Sequence, residues 1–119
     1  MCGIAGLMTT NGAAPAADVL TRMAAALAHR GPDGQGTYGV KDVAMVQARL
    51  AIIDLETGDQ PLYAPADDEH GKLALVANGE IYNYIELRAE LIDTEFKTGS
   101  DCEPVLYYYR HHGLDFAEW

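Results

Sequence analysis

The chain begins MCGIAGLM (residues 1–8), and this stretch decides the fold. Residues 3–8 are apolar and rich in glycine, which predicts a buried first strand directly after a cysteine. Removal of Met1 would leave Cys2 at the N-terminus, with a thiol and a free α-amine on one residue. Because an α-amino group has a reference pKa of about 7.7–8.0, its neutral fraction can accept the thiol proton near pH 7. Cys2 is therefore the first candidate nucleophile, although most cysteines near an N-terminus are incidental.

The composition predicts one small acidic domain. The 119 residues are 49% hydrophobic, which suits a packed core and argues against disorder. The formal net charge of −10 argues against nucleic acid and against an anionic membrane surface as partners. No secretory signal pattern and no apolar run of membrane-spanning length is found, so we expect a cytoplasmic protein. Cys2 and Cys102 predict reduced thiols, and the histidines lack the spacing of a zinc site.

The hydrophobic pattern predicts an ordered series of elements. These are a strand over 3–8, a helix over 16–30, strands over 37–40, 43–48 and 73–77, a helix over 84–91, a short strand over 95–97, and a helix that begins after Gly99. Residues 34–36 are expected as a loop, 50–55 as a buried strand or a tight loop with inward side chains, and 64–72 as a solvated hairpin loop. His29 and Arg30 are expected in the last turn of the first helix. Asn83 and Ser100 are expected to cap the later helices, each with a glutamate three residues on.

Four further motifs accompany Cys2: HRGPDG (29–34), RLAIID (49–54), NGEIYN (78–83) and TGSDCE (98–103). Each has an ordinary structural explanation. HRGPDG can be a helix stop and a turn, Arg49 a surface cation, Asn78-Gly79 a turn pair, and Asp101 a complement to a helix dipole. Taken singly, these explanations are favoured, but they do not explain why the motifs occur together and in this order.

With these motifs the chain resembles the N-terminal glutaminase domain of the asparagine synthetase family. That domain is a class II glutamine amidotransferase and an N-terminal-nucleophile hydrolase. The resemblance extends over residues 1–119 and implies an α+β fold, the αββα sandwich. Because the family's glutaminase domain is longer, we expect residues 1–119 to be a C-terminally truncated, incomplete portion of it, with the synthetase domain absent.

The resemblance also implies a role for each site residue. Cys2 would attack the side-chain amide of glutamine, while Asn78 and Gly79 would form the oxyanion hole. Arg49 would hold the substrate α-carboxylate and Asp101 the α-ammonium group. Further glutamine contacts are implied for Glu80 and for the backbone of Leu50, Ala51, Ile52 and Ile53. No residue is implied as a metal ligand.

The implied reaction is hydrolysis of glutamine to glutamate and ammonia, without a cofactor in this segment. In the full-length family the ammonia amidates aspartate to asparagine, with ATP and Mg²⁺ bound in the missing synthetase domain. Expected partners are therefore glutamine here, and aspartate and ATP through that domain; an oligomer is left open. Three rival functions are also open. They are amidation of a different carboxylate by a relative with similar motifs, glutamine binding by a non-catalytic fragment, and redox sensing through Cys2 and Cys102.

Overall fold

The computed structural model describes residues 1–66 and 72–118, which fall into two compact units. The first unit comprises Met1–Ile52, Asp59–Pro61 and Val76–Gly79. The second comprises the described residues of Ile53–Gly58, Leu62–Leu75 and Glu80–Trp119. Each unit contains both helix and strand, so the predicted α+β class is confirmed.

A three-stranded antiparallel sheet forms the frame of the first unit. Its strands are β1 (Gly3–Met8), β2 (Gly34–Val40) and β3 (Val43–Arg49), in the order β1-β3-β2. The register runs from Gly3↔Ala48 on one side of β3 and from Gly34↔Arg49 on the other. Both N-terminal strand ends therefore meet the end of β3 that carries Arg49.

Side chains alternate across the central strand, which is the most buried part of the unit. Ala44, Val46 and Ala48 share one face and are at most 1% exposed. Gln47 and Arg49 lie on the opposite face and are also buried. The strand thus carries an apolar face for packing and a polar face that ends in a guanidinium.

Helix α1 (Ala17–Leu27) packs against β3 and β1. The sequence predicted this helix but extended it to Arg30, and that end is wrong. Ala28 to Arg30 form a turn, and Arg30 N–H donates to the Leu27 carbonyl at 2.9 Å. The helix stops early because Gly31 must press against β3, where an added Cβ would overlap the backbone of Ala48. His29 and Arg30 therefore do not belong to the last helical turn.

The predicted loop at residues 34–36 is also wrong, because these residues begin β2. Gly36 is a strand residue whose missing side chain makes room for another part of the chain. A Cβ on Gly36 would overlap the Gln60 carbonyl. Glycine in a strand is often such a point of close backbone approach.

The second unit is built on a small hairpin and two helices. Its elements are β4 (Leu62–Ala64), β5 (Leu73–Leu75), α2 (Tyr84–Glu90), α3 (Glu103–His112) and a 3₁₀ helix over Gly113–Glu118. Strands β4 and β5 pair antiparallel with Leu62 opposite Leu75. Helix α3 packs against β4, β5 and α2. Its buried side chains, together with Leu62 and Ala64, form the core of this unit.

Several sequence predictions in this region need correction. The strand over 73–77 is shorter, and β4 was not predicted. Residues 95–97 form no strand, and the predicted loop over 64–72 lies partly outside the described residues. Residues 50–55 contain no strand, which favours the loop alternative. However, Ile52 and Leu55 are 61% and 69% exposed, so their side chains do not point inward.

Neither predicted capping box is formed. Asn83 precedes α2 but makes no capping hydrogen bond with its side chain. Helix α3 begins at Glu103, with Cys102 in the N-cap position. Ser100 Oγ accepts from Cys102 N–H at 3.2 Å, and the Glu103 carboxylate turns to the preceding loop instead. The reason is a competing set of hydrogen-bond donors at Lys97 and Thr98.

Candidate active site

The Cys2 thiol is fixed by the backbone of one residue. Its Sγ lies 3.5 Å from the Leu50 carbonyl oxygen, to which the thiol donates. The Leu50 N–H donates to the same Sγ at 3.3 Å. Two contacts of opposite polarity set the direction of the thiol. They also place it beside the residue that follows Arg49.

The HRGPDG motif holds the backbone of Cys2 in place. Arg30 Nε donates to the Cys2 carbonyl at 3.0 Å. Gly3 gives this side chain room, since an added Cβ would lie 3.1 Å from Arg30 Cδ. Because Cys2 and Gly3 are tied to Arg30 in this way, the thiol is carried by an anchored strand end and not by a frayed terminus.

The same motif fixes the segment that leaves β3. Asp33 N–H donates to the Arg49 carbonyl at 3.0 Å, and Asp33 Oδ2 accepts from Ala51 N–H at 2.9 Å. Gly31 packs directly against the backbone of Ala48 and Arg49. The segment from Arg49 to Ala51 is therefore clamped from one side by residues 31–33. The ordinary explanation of HRGPDG as a helix stop covers only part of what it does.

Arg49 ends β3 with a buried cationic side chain. The residue is 6% exposed, and its Nη1 lies 2.7 Å from Oδ1 of Asp59. A guanidinium so deeply buried requires a counter-charge, which Asp59 supplies in this structure. The Arg49 guanidinium thus binds a carboxylate in this structure.

Asn78 and Gly79 also belong to the first unit, where they follow the short segment 76–77. Ala77 N–H donates to Gln60 Oε1 at 2.6 Å, which ties this segment to residues 59–61. Both Asn78 and Gly79 are exposed. The two residues therefore stand at the exposed end of an anchored segment.

Asp101, Glu80 and Ile53 belong to the second unit. Asp101 is 6% exposed, and its Oδ2 accepts from Ile81 N–H at 2.6 Å. This bond joins the NGEIYN and TGSDCE motifs, whose sequence positions are far apart. Glu80 is exposed, and Ile53 is partly buried. The structure thus brings together Cys2 with Leu50 in one unit, and Asp101 with the Glu80–Ile81 segment in the other.

A carboxylate outside the predicted site anchors the loop before Asp101. Asp54, with φ of 52°, accepts from Thr57 N–H at 2.9 Å, Thr57 Oγ1 at 2.5 Å and Gly99 N–H at 2.7 Å. Burial raises the pKa of the Asp54 carboxyl, but the hydrogen bonds from Thr57 and Gly99 outweigh it and lower the pKa below its ordinary 3.8. The ionised form is therefore the one that the loop stabilises.

Glu103 and Arg88 anchor the same loop from its other side. The Glu103 carboxylate accepts from Lys97 N–H at 2.7 Å and from Thr98 N–H at 2.8 Å. Arg88 Nη2 donates to the carbonyls of Thr98 at 2.9 Å and Ser100 at 2.8 Å, and lies 3.5 Å from Glu103. Because Glu103 is only 1% exposed, the loop that leads to Asp101 is held by a buried carboxylate.

Some of these supporting residues lie inside the sequence motifs, although the sequence assigned them no role. Arg30, Asp33 and Asp54 are of this kind, and for Arg30 and Asp33 the available signal is a charged residue next to a motif glycine. The sequence gives less indication that Asp59 and Glu103 support the site. Glu103 ends the TGSDCE motif but is expected as part of a helix cap, and Asp59 lies outside every motif. What identifies them is contact with residues distant in sequence.

The described part of the chain offers neither a metal site nor a membrane span. Residues 1–66 and 72–118 contain no group of three or more His, Cys, Asp or Glu side chains that could hold a metal ion. None of the helices in these ranges combines the length and the apolar character needed to cross a membrane.

The whole chain, residues 1–119, matches the family model of the glutamine amidotransferase domain. It is 41% identical over 119 residues to an asparagine synthetase (glutamine-hydrolyzing) of Asparagus officinalis, covering 99% of this chain and 20% of that protein. A probable asparagine synthetase of Dictyostelium discoideum is 42% identical over 121 residues, with 98% and 21% covered. An asparagine synthetase of Zea mays is 46% identical over 92 residues, with 77% and 15% covered.

The chain therefore belongs to the family of class II glutamine amidotransferase domains. Within that family it is similar to asparagine synthetases at about 40% identity, as its motifs predicted. It spans about a fifth of the length of the curated relatives it matches.

Proposed function

We propose that this chain hydrolyses glutamine to glutamate and ammonia with Cys2 as the nucleophile. The observation that carries the proposal is the double contact of the Cys2 thiol with Leu50 N–H and C=O, one residue after Arg49. A thiol anchored to the residue that follows the buried Arg49 suits a substrate with a carboxylate at one end and a reactive amide at the other. The complete domain has the N-terminal-nucleophile αββα sandwich, of which these residues are part.

The reaction begins once Met1 is removed. Met1 is 77% exposed, so an aminopeptidase can reach it. The freed α-amine of Cys2 accepts the thiol proton, and the sulfur attacks the side-chain carbonyl carbon of glutamine. The amide nitrogen takes up that proton and leaves as ammonia, and a thioester is left on Cys2. Water then attacks the thioester, which releases glutamate and restores the thiol.

Negative charge develops on the amide oxygen during both steps. The Asn78 side-chain amide and the Gly79 N–H are assigned to bind it, and one good donor of this kind contributes roughly 2.7–4 kcal/mol to the transition state. Their exposed position at the end of an anchored segment supports that assignment.

The two charges of the substrate backbone, which all α-amino acids share, position glutamine so that its side-chain amide lies next to Cys2. Arg49 binds the α-carboxylate, for which a planar guanidinium offers two parallel hydrogen bonds. Asp101 binds the α-ammonium group, while Glu80 and the backbone of residues 50–53 complete the contacts. Burial of both Arg49 and Asp101 supports these roles, because a charge held out of water interacts more strongly with a ligand charge.

The ammonia serves amidation of aspartate to asparagine in a larger cytoplasmic enzyme. ATP and Mg²⁺ act in the synthetase portion, outside residues 1–119. The support is the name of the relatives, asparagine synthetase (glutamine-hydrolyzing), together with their roughly fivefold greater length. Aspartate and ATP are therefore proposed as substrates of the whole protein, while glutamine is the substrate of this domain.

The test is covalent capture of Cys2 by 6-diazo-5-oxo-L-norleucine, a glutamine mimic, combined with ammonia release from glutamine. Peptide mass spectrometry should find Cys2 without Met1 and with the adduct on its sulfur. Cys2→Ala should abolish both labelling and ammonia release, whereas Cys102→Ala, a matched change at a buried thiol, should retain both. Labelling of Cys102 instead, or ammonia release that survives Cys2→Ala, would overturn the proposal. A glutamine-binding protein without catalysis would bind glutamine but release no ammonia.

A further inference from the structure

Arg49, which the proposed function assigns to the substrate α-carboxylate, binds a carboxylate of the protein itself. Its Nη1 lies 2.7 Å from Oδ1 of Asp59. The two side chains differ sharply in burial: that of Arg49 is 8% exposed and that of Asp59 is 81% exposed. A buried cation thus holds one end of a carboxylate that otherwise stands in solvent.

One polar contact holds the Asp59 side chain in the described chain. Within residues 1–66 and 72–118, Arg49 is its only hydrogen-bond or ion-pair partner. The backbone next to it is fixed, because Gln60 Oε1 accepts from Ala77 N–H at 2.6 Å and Gly36 receives the Gln60 carbonyl. The carboxylate can therefore rotate into solvent by side-chain torsions alone, without a change in the backbone.

We propose that Asp59 occupies Arg49 in the empty site and is displaced by the α-carboxylate of the incoming amino acid. This inference rests on the proposed function. The exchange replaces one carboxylate with another, so the buried guanidinium keeps a counter-charge at every stage. That continuity matters because an unpaired buried charge is far more costly than a paired one.

The exchange gives Asp59 a role in specificity and affinity. Breaking the Asp59–Arg49 contact subtracts from the binding free energy of every ligand that uses Arg49. The released carboxylate gains little hydration, because 81% of the side chain is already exposed. A ligand without a carboxylate cannot displace Asp59, so it meets an Arg49 that is already neutralised. Asp59 thereby weakens glutamine binding and excludes neutral amides from the carboxylate subsite.

Asp59→Asn and Asp59→Ala test the exchange in the complete protein. Both should lower KM for glutamine about 2- to 5-fold, because they remove a competing ion pair whose Asp59 partner is largely exposed, so that the gain in kcat/KM comes from KM. Calorimetry with glutamine on a Cys2→Ala background should show the same tightening, without turnover. For 4-aminobutanamide, which is glutamine without its α-carboxylate, neither variant should lower KM. Asp18→Asn is the matched control, since it removes a 73% exposed carboxylate from an Arg22 pair and should change nothing.

The opposite result is equally clear. A higher or unchanged KM for glutamine in both variants would overturn the exchange, and a higher KM would make Asp59 an orienting partner of Arg49. Equal tightening for 4-aminobutanamide would also overturn it, because no carboxylate is exchanged there. In these cases a wild-type protein that releases ammonia through Cys2 leaves the proposed function standing. A wild-type protein that neither binds glutamine nor releases ammonia overturns both.

Discussion

The Asp54 carboxylate accepts a hydrogen bond from Gly99 N–H at 2.7 Å across 45 residues of sequence. Gly99 lies two residues before Asp101, and an added Cβ there would stand 3.2 Å from Asp54 Cγ. The last residue of the RLAIID motif therefore supports the loop of the TGSDCE motif. Because Asp54 also binds Thr57 twice, the carboxylate is a junction between a tight turn and the Asp101 loop.

Asp54→Asn should destabilise the fold in a pH-dependent way. The folded-state pKa lies below the ordinary 3.8, so the carboxylate contributes stability that is present above pH 3.8 and lost as pH falls through the folded pKa. Asparagine keeps one acceptor oxygen but not the second, which costs about 1 kcal/mol at neutral pH. Urea unfolding at about pH 6 and about pH 3 should therefore show a difference from wild type that shrinks in acid. Asp93→Asn, an exposed change of equal charge, should show no such convergence; a constant Asp54→Asn deficit at both pH values would contradict the mechanism.

Gly36 and Gly39 offer a matched pair within β2. A Cβ at Gly36 would overlap the Gln60 carbonyl, whereas at Gly39 the nearest neighbouring atom is the Val43 carbonyl oxygen at 4.0 Å. Gly36→Ala should therefore cost more than about 2 kcal/mol, because backbone and not a flexible side chain must move. Gly39→Ala should leave the urea midpoint nearly unchanged. Similar midpoints for the two variants would show that the Gln60 segment does not press on β2.

These two glycines also show what the sequence could predict about the fold. Strands β1 and β3 and the positions of α1, α2 and α3 follow from local apolar periodicity, which is visible in one sequence. The start of β2 does not, because Gly34 and Gly36 favour a loop locally and become strand residues only when the Gln60 segment crosses them. Tertiary contact overrode local propensity there.

The candidate site divides in the same way. Cys2, Arg49 and Asp101 could be proposed as site residues from the sequence because they lie in recognisable motifs. The residues that hold the site in place could not be predicted from the sequence. The role of Asp33 depends on the β2–β3 register, and that of Glu103 depends on a loop that bends back to it. A capping box and a loop anchor look identical in sequence. Only the number of available N–H donors at Lys97 and Thr98 decides between them.

Glu103 and Glu95 can be compared because both carboxylates accept a hydrogen bond from Lys97. Glu103 accepts from the Lys97 backbone N–H inside the fold, while Glu95 accepts from Lys97 Nζ at 2.6 Å in solvent, with 85% of its side chain exposed. Glu103→Gln should lower the free energy of unfolding by about 2–4 kcal/mol, because it leaves Arg88 without its charge partner and Thr98 with a poorer acceptor. Glu95→Gln should leave the urea midpoint unchanged. Equal losses in the two variants would mean that Glu103 acts only as a surface charge.

The hydrogen bond between Tyr108 and Glu90 predicts that the Tyr108 phenol titrates at unusually high pH. A hydrogen bond from Tyr108 to Glu90 Oε2 at 2.5 Å, aided by burial, raises the pKa of Tyr108 to about 12. Because the folded pKa exceeds the unfolded value of 10.0, this contribution to stability is complete below pH 10.0 and is lost as pH rises through about 12. Two of the seven tyrosines, Tyr107 and Tyr108, have a raised pKa, so ultraviolet titration of the protein should show two late phenols, of which that of Tyr108 titrates near pH 12. Glu90→Gln should move the titration of the Tyr108 phenol to lower pH, and Tyr108→Phe should remove it.

The control is Tyr107, whose pKa is raised mainly by burial and not by Glu90, so its titration should not respond to Glu90→Gln. Persistence of the late Tyr108 phenol in Glu90→Gln would assign it to burial and contradict the role of the hydrogen bond.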